Sequence, residues 1–74
     1  MTTRQYNYLL EDFSRFANTE VKFKSYVPSL GDFTTKHGRL IGIGTRHNEN
    51  HLIIGWMGSR LAIHYSQVSL RFNA

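Results

Sequence analysis

One predicted strand carries residues that suit the binding of a polyanion. From Glu20 the apolar residues recur at every second position, which places Lys22, Lys24 and Tyr26 together on the opposite face. Lysine side chains neutralise phosphates, and a flat tyrosine ring can stack on an unpaired base. These three residues are therefore the leading candidates for a nucleic-acid-binding site. An ordinary solvated face is the alternative, because lysines also protect edge strands from aggregation.

Further basic and imidazole side chains extend this candidate site. They lie at the ends of later predicted strands, or on the outward side of those strands by alternation. The set is completed by Arg39, Arg46, Arg60, His64 and Arg71.

The positive charge of the chain is concentrated after its first twenty residues. The formal net charge is +4. Residues 1–20 hold two arginines and three carboxylates, a net charge of −1, whereas residues 21–74 hold seven cations and two carboxylates, a net charge of +5. A positive surface raises the local concentration of polyanions, so nucleic acid is the first partner to test. Charge that only keeps a small protein in solution is the other interpretation.

Candidates for catalysis and metal binding are few. There are no cysteines, which excludes disulfides and a thiolate zinc site. His47, Glu49 and His51 surround one predicted turn, but polar turn residues are the better interpretation, and we expect no metal and no cofactor. No elbow-like motif surrounds a serine, and a domain of this size leaves little room for a closed substrate pocket. We therefore expect a protein that is not an enzyme.

The size and hydropathy of the chain fit one small domain. Seventy-four residues lie near the lower limit for a core that folds without metals or disulfides. No apolar run approaches the roughly 20 residues that span a bilayer, and the N-terminus lacks the apolar core of a signal peptide. We expect a soluble, cytoplasmic protein that makes no use of a membrane.

An amphipathic helix is predicted over about residues 3–17. Its apolar residues recur at steps of three and four, which is typical of one stripe of an α-helix. Thr2 and Gln5 have the spacing of a capping box. The stripe is too apolar to face water, so it must cover the rest of the domain or bind a partner. It consists of Tyr6, Leu9, Leu10, Phe13, Phe16 and Ala17.

Five apolar runs between about residues 20 and 73 predict β-strands. The first begins at Glu20, and the others cover residues 38–46, 52–57, 60–65 and 70–72. Gly42 and Gly44 would allow the second strand to bend strongly. The third strand is apolar on both faces, so a second surface must cover it. With the helix, these runs predict a mainly β fold, in which one N-terminal α-helix caps a small five-stranded barrel.

The connections between the strands are of unequal length. Residues 28–37 predict a long loop, a candidate binding loop, from which Leu30 and Phe33 return to the core. Gly58 and Ser59 predict a two-residue type II′ hairpin turn. Residues 66–69 predict a tight helical turn before the last strand.

The order of these elements resembles two families of small barrels. Strand, long loop, bent strand, hairpin, helical turn and last strand is similar to Src-homology-3-like (SH3-like) barrels. With a helix in front, the order also resembles the Sm-like family that includes the bacterial RNA chaperone Hfq. Residues 39–43 and 52–54 resemble the second and third strands of the Sm-like pattern. The lysine and histidine positions of the Hfq signature hold Tyr65 and Ser66, so the resemblance does not extend to Hfq activity.

Two functions remain open from the sequence. The resemblance to basic ribosomal and transcription-associated barrels implies binding of nucleic acid. RNA or single strands are favoured over duplex, because no helix is free to enter a groove. The alternative is a protein-interaction or inhibitor module, such as a phage or mobile element encodes against a host protein, that binds through the helix stripe or the third strand. A homo-oligomer would use the same surfaces.

Overall fold

The computed structural model describes residues 1–71 of the chain. Two helices come first, α1 (Thr3–Glu11) and α2 (Phe13–Phe16). Five strands follow, β1 (Glu20–Val27), β2 (Asp32–Ile43), β3 (His51–Trp56), β4 (Ser59–His64) and β5 (Val68–Ser69). A short 3₁₀ helix, Tyr65–Gln67, joins β4 to β5.

The predicted helix is present but is broken at Asp12. The capping box is confirmed, because the Gln5 amide donates to Thr2 Oγ1 at 3.1 Å and the Thr2 amide donates to Gln5 Oε1 at 2.8 Å. Asp12 leaves the helical conformation, with φ −142° and ψ 57°, and α2 starts at the next residue. Aspartate favours such breaks because its side chain competes for local hydrogen bonds. Neither helix within residues 1–71 has the length and apolar character that a membrane crossing requires.

All five strands belong to one antiparallel sheet, in the order β4-β3-β2-β1-β5. The mainly β architecture with helices at the N-terminus is therefore confirmed. β4 and β5 form the two edges, and within residues 1–71 no pairing joins them. The strands of residues 1–71 thus form an open sheet, and the assignment to a barrel fold is not confirmed.

The largest correction concerns residues 28–37, which do not form a long loop. β2 starts at Asp32, and only residues 28–31 make the turn, with Gly31 at φ 64°. β1 and β2 pair from Glu20–Arg39 as far as Val27–Asp32. The start of β2 is polar on both faces apart from Phe33, so it lacks the apolar alternation that marks a strand in a sequence.

The far end of this hairpin extends beyond the rest of the sheet. β5 pairs only with Lys22 and Phe23 of β1, and β3 pairs with β2 only from Arg39 onward. Within the described part of the chain, residues 24–35, here called the hairpin arm, therefore pair only with each other. Leu30 and Phe33 were predicted to return to the core, which is wrong, because they are 67% and 55% exposed.

Strand boundaries near the C-terminus also differ from the prediction. The turn between β3 and β4 is centred on Met57 and Gly58, with φ 47° and 79°, so that Trp56 pairs with Ser59. Positive φ at both central residues defines a type I′ turn, one residue earlier than the predicted type II′ turn. The last strand, predicted over residues 70–72, lies at Val68–Ser69. Phe72 lies outside the described residues.

The core lies between the helices and one face of the sheet. Each of its residues is 6% exposed or less, and they come from both helices and from β1, β2, β3 and β5. The helix stripe is therefore covered mainly by the chain's own sheet. The core residues are Tyr6, Leu9, Phe16, Val21, Phe23, Leu40, Leu52, Ile54 and Val68.

Two hydrogen bonds and one ring stack hold the N-terminal residues against residues 65–68. The Met1 amino group donates to the carbonyl oxygens of Tyr65, at 3.0 Å, and of Val68. Burial lowers the pKa of this amino group. The rings of Tyr6 and Tyr65 stack with their centroids 4.5 Å apart.

We expect folding stability to fall in alkaline solution through Tyr6. Burial, with a smaller contribution from Tyr65, raises the pKa of the Tyr6 phenol above its ordinary value of 10.0. As the pH rises, the unfolded chain releases this proton first, so the folded state loses stability above the unfolded pKa. The free energy of unfolding, measured with urea below and above pH 10, should fall less for Tyr6→Phe than for the wild type. Equal losses of unfolding free energy in the two proteins would show that Tyr6 is not responsible for the alkaline decrease.

Candidate nucleic-acid interface

β1 divides its side chains between the core and the surface. Val21 and Phe23 are buried, whereas Lys22, Lys24 and Tyr26 are exposed. The three predicted residues therefore share the face of the sheet that points away from α1, here called the outer face. The alternation follows from the two-residue period of a strand that is buried on one side.

Cross-strand pairing brings two arginines to the outer face. Arg39 of β2 lies opposite Gly55 of β3, which in turn lies opposite Arg60 of β4. Because directly opposed residues project from the same side of a sheet, the two arginines flank a glycine in one row. Both arginines are exposed. One guanidinium nitrogen of Arg39 donates to the Asn18 carbonyl oxygen at 2.8 Å, which fixes its position.

The next row joins β1 to the C-terminal part of the chain. Lys22 lies opposite His37 on one side and Ser69 of β5 on the other. An open cavity of about 630 Å³ is lined by Lys22, Glu20 and Arg71, among others. The predicted site residue Arg71 therefore lines the same cavity as Lys22.

Four cations thus follow one another along the outer face, and we call them the basic strip: Lys24, Lys22, Arg39 and Arg60. No carboxylate in the described part of the chain forms an ion pair with any of them. Among the paired strand residues, Glu20 supplies the one carboxylate of this face; it lies opposite Arg39, and its Oε1 is 3.3 Å from His37 Nδ1. The strip therefore carries positive charge that the fold itself does not neutralise.

Two predicted site residues lie elsewhere. Arg46 is in the connection between β2 and β3, after the strand has ended. His64 is four residues from Arg60 along β4, or about 13 Å at the usual rise per residue. Its Nδ1 accepts from the Ser66 amide at 3.2 Å, and its ring stacks on Tyr65 with the centroids 4.6 Å apart. Neither residue belongs to the basic strip.

Phe33 is a candidate that the sequence analysis assigned to the core. It lies opposite Tyr26 on the hairpin arm, and the two ring centroids are 5.3 Å apart with an angle of 64° between the planes. The rings are 55% and 54% exposed. The alternation of Phe33, Thr35 and His37 was the available signal, but it required the start of β2 to be recognised as a strand.

The turn with two histidines does not assemble a metal site. His51 Nδ1 donates to the Glu49 carbonyl oxygen at 2.7 Å, since a carbonyl can only accept. Glu49 thus contributes its main chain to this contact. Among residues 1–71, no three histidine, aspartate or glutamate side chains come together as a metal ion would require.

The fold and the outer face together define a small antiparallel β protein, with helices on one side of the sheet and a basic strip on the other. No protein-family model, curated protein or solved structure matches the chain. Its function must therefore be inferred from the residues of this surface.

Proposed function

We propose that this protein is a non-enzymatic nucleic-acid-binding protein that holds RNA or another single strand on the basic strip. The observation that carries the proposal is the alignment of four cations, without carboxylate partners among residues 1–71, on one exposed sheet face. Phosphates are the anions that such a group of cations fits best, because a nucleic-acid strand presents one phosphate at each nucleotide and can contact several cations at once.

The basic strip uses two kinds of phosphate donor. Lys22 and Lys24 provide mobile point charges, separated by about 6.6 Å along the strand. Arg39 and Arg60 provide planar donors that bind phosphate oxygens in pairs. All four residues are on paired strands, which positions them better than a loop would.

We favour RNA or another single strand over a DNA duplex as the ligand. Reading the major groove usually requires a free helix or a two-stranded ribbon. The apolar stripe of α1 is buried on the sheet at Tyr6 and Leu9, so this helix is not available to enter a groove. An open sheet face with cations and aromatic rings is instead typical of proteins that bind unpaired strands.

We extend the proposal to the type of fold. The strand order, the 3₁₀ helix before β5 and the register shift between Leu40 and Gly42 support an open barrel of the SH3-like or Sm-like type. A shift of this kind bends and twists a strand, as a small barrel requires. The cytoplasm is the compartment we propose, because a chain without cysteines loses nothing in a reducing environment.

The alternative of a protein-interaction or inhibitor module has less support. Its main motivation is the apolar helix stripe, but Tyr6, Leu9 and Phe16 are already buried in the chain's own core. On the third strand, Leu52 and Ile54 are buried and Ile53 of the opposite face is half-buried, whereas Met57, predicted to share that face, lies in the turn after the strand and is 83% exposed. On α1, Tyr8 and Leu10 remain partly exposed, at 43% and 40%.

Salt dependence tests the proposed function directly. Labelled single-stranded RNA, single-stranded DNA and duplex would be titrated with the protein, and binding followed by fluorescence anisotropy. If the four cations neutralise four phosphates, the slope of log K against log salt is about −3 for a single strand. Raising salt from about 50 to about 200 mM should then weaken binding about 50-fold. Binding that hardly changes with salt, or no binding to any probe at low salt, would refute the proposal.

Removing the carboxylate of the outer face should strengthen binding. Glu20 lies opposite Arg39 and shares the open cavity with Lys22 and Arg71, so its negative charge opposes an approaching phosphate. Glu20→Gln should raise the affinity for single-stranded RNA about fivefold at low salt, as expected for one exposed charge. Glu11→Gln, a substitution of the same type on α1, is the control. An equal increase in both variants would show that only net charge matters.

A further inference from the structure

The hairpin arm carries an aromatic pair that the folding of the chain does not explain. Tyr26 and Phe33 face each other on the outer side, each more than half exposed. The partly buried apolar residues that pack against the core include Trp56 and Tyr65 but neither of these two rings. A cross-strand aromatic pair adds up to about 1 kcal/mol to a hairpin, yet most of its apolar surface here stays in water.

The position of the pair relative to the basic strip suggests its ligand. Lys24 follows Tyr26 on the same face at a distance of about 6.6 Å along β1, and Lys22 follows Lys24 at the same interval. The outer face of β1 therefore presents an aromatic surface and then two phosphate-binding charges. A nucleotide has the same two parts, a flat base and a phosphate.

We propose that Tyr26 and Phe33 form a stacking platform for an unpaired base, next to the phosphates held by Lys24 and Lys22. This inference rests on the proposed function and names its ligand class as single-stranded nucleic acid with exposed bases. A duplex keeps its base faces inside the stack, so it could use only the cations. Stacking on a ring uses a surface that every base has, so we expect little sequence preference.

The angle of 64° between the rings gives each one a separate role. Two rings at this angle present one face and one edge, so a base stacks on one ring and contacts the edge of the other. Tyr26 and Phe33 are 54% and 55% exposed, so a base can reach both rings from the outer face. The open cavity of about 290 Å³ beside Lys22, Lys24 and Thr35 continues this surface toward β5.

The test separates stacking from charge. Phe33→Leu and Tyr26→Leu keep an apolar residue in the strand but remove the ring. Each should weaken binding of single-stranded RNA and DNA about tenfold, while the slope against log salt stays as in the wild type, because no phosphate contact is lost. Phe33→Tyr, which keeps an aromatic ring, should bind the single strands as tightly as the wild type does. Tyr8→Leu, at another partly exposed aromatic on α1, is the matched control and should leave binding unchanged.

An abasic oligonucleotide supplies a probe that requires no variant. It has the phosphates of the single strand but no bases, so the wild type should bind it about as weakly as Phe33→Leu binds the normal strand. In NMR spectra, the ring protons of Tyr26 and Phe33 should shift upfield on addition of a short oligonucleotide. Both measurements use the wild-type protein, so they test the stacking platform even if a variant folds poorly.

The outcomes distinguish the two proposals. If the wild type binds no probe at any salt concentration, the proposed function fails. A second outcome is binding that depends on salt, with the wild type binding the abasic strand as tightly as the normal strand and Phe33→Leu binding the normal strand as tightly as the wild type does. This outcome would support the basic strip and refute the stacking platform. Equal affinity for duplex and single strand would also refute the platform.

Discussion

Gly38→Ala should lower the free energy of unfolding by about 3 kcal/mol, whereas Gly42→Ala in the same strand should change it by less than about 1 kcal/mol. A Cβ atom at Gly38 would lie 2.7 Å from the Gly55 carbonyl oxygen and 2.7 Å from Ile54 Cγ2. The Gly55 carbonyl oxygen belongs to the backbone of β3, and this backbone cannot move away without breaking the β2–β3 pairing.

Gly42 offers a matched control because an added Cβ atom would fit there without a clash. There the nearest atoms to an added Cβ are in the Ile53 side chain, at 3.5 and 3.6 Å, which is ordinary van der Waals contact. Neither Gly38 nor Gly42 has a positive φ, so the two substitutions differ only in packing. Alanine also reduces the entropy of the unfolded chain, which favours the variant at Gly42.

Urea unfolding followed by Trp56 fluorescence would measure both effects. The Trp56 ring contacts the Phe23 ring edge to face, with the centroids 6.4 Å apart, so its emission reports on the core. The midpoint for Gly38→Ala should fall well below that of the wild type with a similar slope. Similar midpoints for the two variants would mean that β2 and β3 do not approach each other at Gly38 as described.

The elements that the sequence predicts well are those with one buried face. In β1, Val21 and Phe23 are buried between exposed lysines, and this alternation is visible without a structure. The capping box of α1 is equally local, because Thr2 and Gln5 are three residues apart. Such features depend on near neighbours in the chain, and therefore a pattern of residue types is sufficient to find them.

The hairpin arm was predictable only in its β1 half and not in residues 32–35. Its strands are held by backbone pairing from Lys24–Thr35 to Val27–Asp32, and its side chains are not sorted into apolar and polar faces. Lys36, just beyond the arm, shows why alternation of apolar residues does not reveal the start of β2. Its ammonium lies 4.3 Å from the centroid of the Trp56 ring, so a cation takes a position where the pattern would require an apolar residue.

The basic strip depends on register, which the sequence does not reveal. Outward orientation of Arg60 and Lys22 follows from alternation in each strand alone. That Arg39 and Arg60 share a row depends on the turn at Met57 and Gly58, because a shift of one residue would move every β4 side chain to the other face. Strand alternation thus supplies the candidates, and only the pairing shows which of them are neighbours.

Reversing both lysines of β1 should nearly abolish binding of single-stranded RNA. Lys22→Glu/Lys24→Glu removes two of the four cations of the basic strip and places two carboxylates beside Glu20. We expect an affinity loss of about 100-fold at low salt, and a slope against log salt reduced from about −3 to about −1.5, because about half of the counterion release is lost. Both lysines are exposed, so the urea midpoint should change little.

A second double variant shows whether the position of the charges matters. Arg4→Glu/Arg46→Glu changes the net charge by the same amount, from +4 to 0, but affects only α1 and the β2–β3 connection. Long-range attraction alone would weaken binding equally in both double variants and would leave no role for the basic strip. A local site instead requires that the Arg4 and Arg46 variant keep the wild-type slope. Its affinity should fall only severalfold, because the phosphates would still meet Lys22, Lys24, Arg39 and Arg60 at their original positions on the outer face.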